Sequence, residues 1–142
     1  MKFSLIICTY QRPKPLLQLL QSVQEQTLYP DEILIIDGST NEATQFILEQ
    51  NHFQNVHYFL VPKEHRGLTK QRNFGIDKVS ADGEIVCFLD DDTVLSTDYF
   101  EQLVTTFQSD VTISGVGGVA TNENKWKAKK EGEHFNPKHY YE

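Results

Sequence analysis

The sequence predicts an α/β fold, with three α/β/α layers around a mostly parallel central sheet. Three observations carry this. Short, nearly continuous apolar runs occur at residues 3–8, 32–36 and 84–89, the pattern of strands buried on both faces. Stretches with helical spacing of apolar residues separate them. Each run also stops at a polar residue, Thr9, Asp37 or Asp90. In open α/β sheets, ligands bind beyond the carboxyl ends of the strands. Alternating strands and helices imply right-handed crossovers that cover both sheet faces.

The first strand spans Phe3 to Cys8. Pro13 and Pro15 favour the first turn of a helix whose apolar stripe is Leu16, Leu17, Leu19, Leu20 and Val23. A second strand, Glu32 to Ile36, ends at Asp37. Ser39 or Thr40 is positioned to cap a helix running to about Gln50, with Phe46 and Ile47 expected to face inward. Val56 to Val61 forms a third strand. Gly67 precedes a short helix from Leu68 to about Asp77, with Phe74 and Ile76 expected in the core. Gly75 inside a helical pattern costs up to about 1 kcal/mol relative to alanine, so close packing is its expected role. Strand four ends at Leu89. Thr97 is placed to cap a helix carrying Phe100, Leu103, Val104 and Phe107, and Val111 to Ala120 is expected to be a further strand. Strands one, two and four are expected at the centre of the sheet.

Domain organisation follows. Residues 1–120 form one α/β domain, and residues 121–142 an irregular, polar and basic segment. The length of 142 residues suits a single domain, and 39% hydrophobic content allows a core. A net charge of −7 argues against broad electrostatic attraction to nucleic acid or anionic membrane. The two cysteines, Cys8 and Cys87, sit at strand positions where a free thiol behaves as a small hydrophobe. This fits a reducing cytoplasm rather than a disulfide scaffold. No stretch reaches the roughly 20 apolar residues of a membrane span. The apolar start is too short for a secretory signal. The expected location is cytoplasmic, with peripheral association at a membrane left open.

The chemistry-bearing cluster is Asp90-Asp91-Asp92, directly after an apolar strand. Like charges this close repel, and a cation relieves the repulsion. Alternation along an extended segment points Asp90 and Asp92 one way and Asp91 the other. Two hard oxygens on one side suit Mn²⁺ or Mg²⁺, which bind through one or two carboxylates plus substrate phosphates. A solvated acidic turn is the plainer alternative. The first strand runs into Cys8-Thr9-Tyr10-Gln11-Arg12, and the second into Asp37-Gly38-Ser39. Tyr10 is able to stack on a base, Asp37 to accept from a base N–H, and Arg12 to meet phosphate. Arg72, near the start of the short helix, is able to reach a diphosphate. Singly, each is an ordinary loop residue; together at three strand ends, they describe a nucleotide site.

Other patterns are weaker. Asp90-Asp91-Asp92-Thr93-Val94 also fits the motif of phosphatases with an aspartyl nucleophile, but little chain follows it here. Gly115-Val116-Gly117-Gly118-Val119-Ala120 fits G-x-G-x-x-A, yet its residues are strand-like where a dinucleotide fingerprint needs a helix start. His134 and His139 lack a metal-ligand spacing. Lys125, Lys127, Lys129 and Lys130 surround Trp126 in a basic, aromatic patch.

Four segments, occurring in order, resemble the inverting family 2 glycosyltransferases with the GT-A fold. They are Ser4 to Pro13, Ile35 to Thr40, Gly67-Leu68 through Arg72-Asn73 to Gly75-Ile76, and Phe88 to Asp92. The resemblance implies transfer from a nucleoside diphosphate sugar, usually a UDP-sugar, to an acceptor glycan, lipid or other hydroxyl compound. It implies that Cys8, Thr9, Tyr10 and Asp37 hold the base and that Arg72 approaches the ribose or diphosphate. Asp90 and Asp91 would lie near ribose and phosphates, and Asp92 would hold the divalent metal. One departure is Ile36, where the family commonly has a second acidic residue. The other is length: family members continue into an acceptor half that carries the general base. The expected role of this chain is therefore the donor- and metal-binding half. A noncatalytic nucleotide-binding module and a nucleotidyltransferase are the alternatives. The last would favour a glycine-rich loop after strand one, which Thr9 to Pro15 lacks.

Overall fold

The computed structural model describes residues 1–121. Four parallel strands form one sheet in the order β3-β2-β1-β4: β1 (Phe3–Thr9), β2 (Glu32–Asp37), β3 (Val56–Leu60) and β4 (Ile85–Asp90). Helices α1 (Pro13–Gln24), α2 (Ala43–Gln50), α3 (Leu68–Ile76) and α4 (Tyr99–Ser109) alternate with them. Odd-numbered β1 residues Phe3, Leu5 and Ile7 face a core shared with Leu16, Leu19, Leu20 and Val23 of α1 and with Phe100, Leu103 and Val104 of α4. Ile6 faces the other way, with Leu34, Ile36 and Val61, against Phe74 of α3. The period-2 alternation of β1 thus supplies both cores, and the three-layer expectation holds.

Gly75 is where α3 meets the sheet. A Cβ there would lie 2.8 Å from Cγ2 of Ile6 and 3.2 Å from Cγ1 of Ile36. Close approach of helix to sheet is thus the reason for glycine, as the sequence implied.

Several expectations are corrected. Residues 111–120 do not form a strand; the segment is irregular, with Val116 half-buried against the core. Three glycines, Gly115, Gly117 and Gly118, leave few side chains to pack on a sheet. β4 is accordingly an edge strand among the described residues, not a central one, and Val86 and Phe88 on it are exposed. Phe46 is 62% exposed, because the inward stripe of α2 is Thr44, Ile47 and Leu48. Ile76 is also exposed, one residue past the inward positions Gln71 and Gly75.

Neither expected cap acts as one. α2 begins at Ala43, and its first amide is bonded by Asn41 Oδ1 at 3.1 Å. α4 begins at Tyr99, and the Phe100 N–H donates to Oε1 of Gln26 at 3.1 Å. A helix start leaves unpaired N–H groups, and here a side chain from another element satisfies one. The Gln26 Nε2 also donates to the Ser96 carbonyl, so one residue beyond α1 fixes the loop that follows the acidic cluster. The expected irregular segment, its basic patch around Trp126, and His134 and His139 lie in residues 122–142, outside the described residues.

Candidate functional site

Strand register builds the site. Thr9 pairs with Asp37 across β1 and β2, and Cys8 with Asp90 across β1 and β4. Three polar strand ends therefore share one edge of the sheet. The α1 start supplies Arg12, and the first turns of α3 supply Arg72.

Asp91 is the buried member of the acidic run, 6% exposed, while Asp90 and Asp92 face solvent. Asp91 and Asp92 lie not in an extended segment but in the turn after β4, where the Thr93 N–H donates to the Asp90 carbonyl at 3.1 Å. The Thr9 hydroxyl donates to Asp91 Oδ2 at 2.8 Å, and Arg12 Nη1 donates to Oδ1 at 3.0 Å. Burial pushes the Asp91 carboxyl above its ordinary value. This outweighs the Thr9 bond and the Arg12 charge, which favour the anion, while Asp92 and Asp90 add to the rise.

Arg12 also reaches Asp92 at 3.1 Å, and Arg72 reaches Asp90 at 3.3 Å while lying over the Phe88 ring. Two arginines thus supply the cationic relief that the acidic run requires. Exposed ion pairs of this kind contribute about 0–1 kcal/mol. They are weak enough for an incoming phosphate to take over the guanidinium groups. Among the described residues, no group of three or more His, Cys, Asp or Glu side chains converges as a metal-holding cluster. Asp90 and Asp92 still offer hard oxygens in the lining of a cavity of about 790 Å³, shared with Thr93, Tyr99 and residues 118–121. Two carboxylates with phosphate completing the shell are a donor set that Mn²⁺ or Mg²⁺ accepts.

Asp37 sits differently from the sequence expectation of an open acceptor. It is fully buried, with Oδ1 accepting from the Ser39 N–H and hydroxyl and Oδ2 from the Tyr58 hydroxyl at 2.7 Å. Burial, reinforced by the bond to Asp37, pushes the Tyr58 phenol far above its ordinary value, so it stays a donor. Ser39 also accepts the N–H of Gln11, whose φ of 51° turns the chain between Tyr10 and Arg12. Tyr10, the residue after β1, is 51% exposed and free to stack. Cys8 is half-buried, and burial pushes its thiol up to about 11, which leaves it no nucleophilic character at neutral pH.

Tyr58 and Gln71 were missed by sequence reasoning. Tyr58 shares a strand face with Val56, a spacing that reads as core. Gln71 sits inside a motif otherwise notable for Arg72.

A smaller cavity of about 260 Å³ lies between α2 and β3 and contains none of the acidic run.

The sequence model for Glycosyl transferase family 2 matches residues 4–142. The chain belongs to that family. It is 34% identical over 104 residues to the UDP-Gal:alpha-D-GlcNAc-diphosphoundecaprenol beta-1,3-galactosyltransferase of Escherichia coli, covering 70% of this chain and 37% of that protein. It is 29% identical over 119 residues to the O-antigen chain rhamnosyltransferase RfbN of Salmonella typhimurium, covering 83% of this chain and 37% of that protein. The crystal structure of S. aureus TarS superposes with a TM-score of 0.66 at 26% identity, over 77% of this chain and 20% of that one. This family 2 chain thus spans well under half of each of these proteins. Among the described residues, no helix is long and apolar enough to cross a membrane.

Proposed function

We propose that this chain is the donor-binding part of a glycosyltransferase, moving a sugar from a UDP-sugar to an acceptor hydroxyl with inversion. The observation that carries the reading is the meeting of Thr9, Tyr10, Arg12, Asp37, Arg72 and Asp90 to Asp92 at one sheet edge in a family 2 chain. The UDP donor is supported by the E. coli relative, whose name specifies UDP-Gal. The same name specifies a lipid-linked acceptor, which supports a working position at a membrane surface. The two relatives' names give different sugars.

Roles follow from position. Tyr10 stacks on the base, and Cys8 and Thr9, the last residues of β1, lead into the turn that carries it. Asp37 accepts from the base, using Oδ2 when the Tyr58 hydroxyl yields. Arg12 and Arg72 exchange their weak carboxylate partners for the diphosphate. Asp91 acts by holding Thr9 and Arg12 in place. Asp92, with Asp90 beside it, would hold Mn²⁺ or Mg²⁺; such an ion neutralises charge on the departing diphosphate. The acceptor hydroxyl must lose a proton to a base, and no described residue is assigned that role. Residues 1–120 form the donor domain.

The base contact is tested by competition binding of UDP against ADP. Asp37→Ala is expected to lower the preference for UDP, with a thermal melt run in parallel because the substitution also strips Ser39 and Tyr58 of their partner. A variant that stays folded and keeps the full preference would mean that the base lies elsewhere along the edge.

A further inference from the structure

We infer that Gln71 is a positioning residue that holds the three donor-binding segments in register. This rests on the donor-binding reading above. Gln71 lies on α3 and is 4% exposed. Its Nε2 donates to the Thr9 carbonyl at 3.0 Å and to the Ile36 carbonyl at 2.8 Å. Its Oε1 accepts the Gly67 N–H at 3.1 Å. Both amide hydrogens and the amide oxygen are therefore used.

The three partners belong to three different segments. Thr9 is the last residue of β1 and leads into Tyr10 and Arg12. Ile36 directly precedes Asp37. Gly67 is the N-cap of α3, has φ of 116°, and brings no side chain of its own to cap the helix. A glutamine four residues on supplies the return bond, as the glutamine or glutamate of a capping box does. Gly38 closes over the amide: a Cβ there would lie 3.0 Å from Oε1 and 3.3 Å from Cδ of Gln71. The next residue, Arg72, points to Asp90. One buried amide thus fixes the separation between the base-side turn, the Asp37 turn and the arginine aimed at the diphosphate.

Chemistry restricts the position to an amide. A carboxylate would place negative oxygen against two carbonyl oxygens, while a protonated carboxyl donates to one of them. A thioether of similar length fills the space and donates nothing. The test is calorimetric UDP binding by the 142-residue chain and its Gln71→Met and Gln71→Glu variants, each checked by circular dichroism and thermal melting. Gln71→Met is expected to weaken UDP binding by about tenfold. Gln71→Glu is expected to bind weakly near neutral pH and to recover towards wild type in mild acid, because its buried carboxyl titrates above its ordinary value. A purely structural or volume-filling role gives no such recovery in the ratio of variant to wild-type affinity.

If Gln71→Met does not fold, amide NMR of the wild-type chain decides. The Gln71 side-chain NH₂ and the Gly67 N–H must both shift as UDP saturates. Wild-type binding with unshifted signals, or with variants that bind UDP as well as wild type at every pH, would overturn the inference alone. Absence of wild-type UDP binding would overturn the donor-binding reading and this inference with it.

Discussion

Gly75→Val is expected to destabilise the chain strongly. The first added atom would stand 2.8 Å from a methyl of Ile6, which is itself 1% exposed in the centre of the sheet. A β-branched side chain adds two more atoms in the same gap. Replacing glycine in a helix normally gains up to about 1 kcal/mol. Overpacking of a tight core costs about 1–3 kcal/mol and sometimes more. The steric term wins, because Ile6 is wedged between β2 and β4 and α3 has no room to lift without breaking the Gln71 bonds. Against a total stability of about 5–15 kcal/mol, a loss near 3 kcal/mol lowers the melting temperature by about 10 °C. Thermal unfolding followed by circular dichroism checks it. A melting temperature equal to that of the parent chain would show that α3 is not held as tightly as the Ile6 contact indicates.

The second large effect is expected at Asp91. Asp91→Ala leaves the buried Thr9 hydroxyl without its acceptor and removes the inner partner of Arg12. An unmet buried polar group costs about 1–3 kcal/mol. Arg12 is half exposed, so its charge is met by water and adds little to that figure. The larger consequence is functional: the turn from Thr9 to Arg12 loses its anchor, and UDP affinity is expected to fall about tenfold or more. Asp91→Asn keeps an oxygen for Thr9 and should fall between the two. Melting temperature and UDP calorimetry on the same samples measure both parts. Unchanged values in Asp91→Ala would mean that the Thr9–Asp91–Arg12 triplet contributes to neither folding nor binding.

Much of this was legible in the sequence, for definite reasons. Continuous apolar runs identified β1 and β2 because burial on both faces leaves no polar positions. Their ends located Thr9, Asp37 and Asp90, since in a parallel sheet all carboxyl ends share one edge. What the sequence did not disclose depends on partners distant along the chain. The Asp37 carboxylate looked open because its partner Tyr58 belongs to another strand. Thr97 looked like a cap because Gln26, which does that work for Phe100, lies 74 residues away. Val111 to Ala120 looked like a strand by composition, yet a strand needs a neighbour, and none pairs there among the described residues.

In the proposed function, Asp90 and Asp92 with Arg12 and Arg72 receive the diphosphate of a UDP-sugar together with a divalent ion. Calorimetry of UDP binding to the 142-residue chain, with Mn²⁺ and then with chelator, tests it most directly, using Asp92→Asn as the companion. Micromolar-to-millimolar binding is expected with Mn²⁺. A loss of about tenfold or more is expected in chelator, with a matching loss in Asp92→Asn without a comparable fall in melting temperature, since that side chain is exposed and the change alters charge but not shape. UDP binding that is equally strong in chelator and after Asp92→Asn would contradict it.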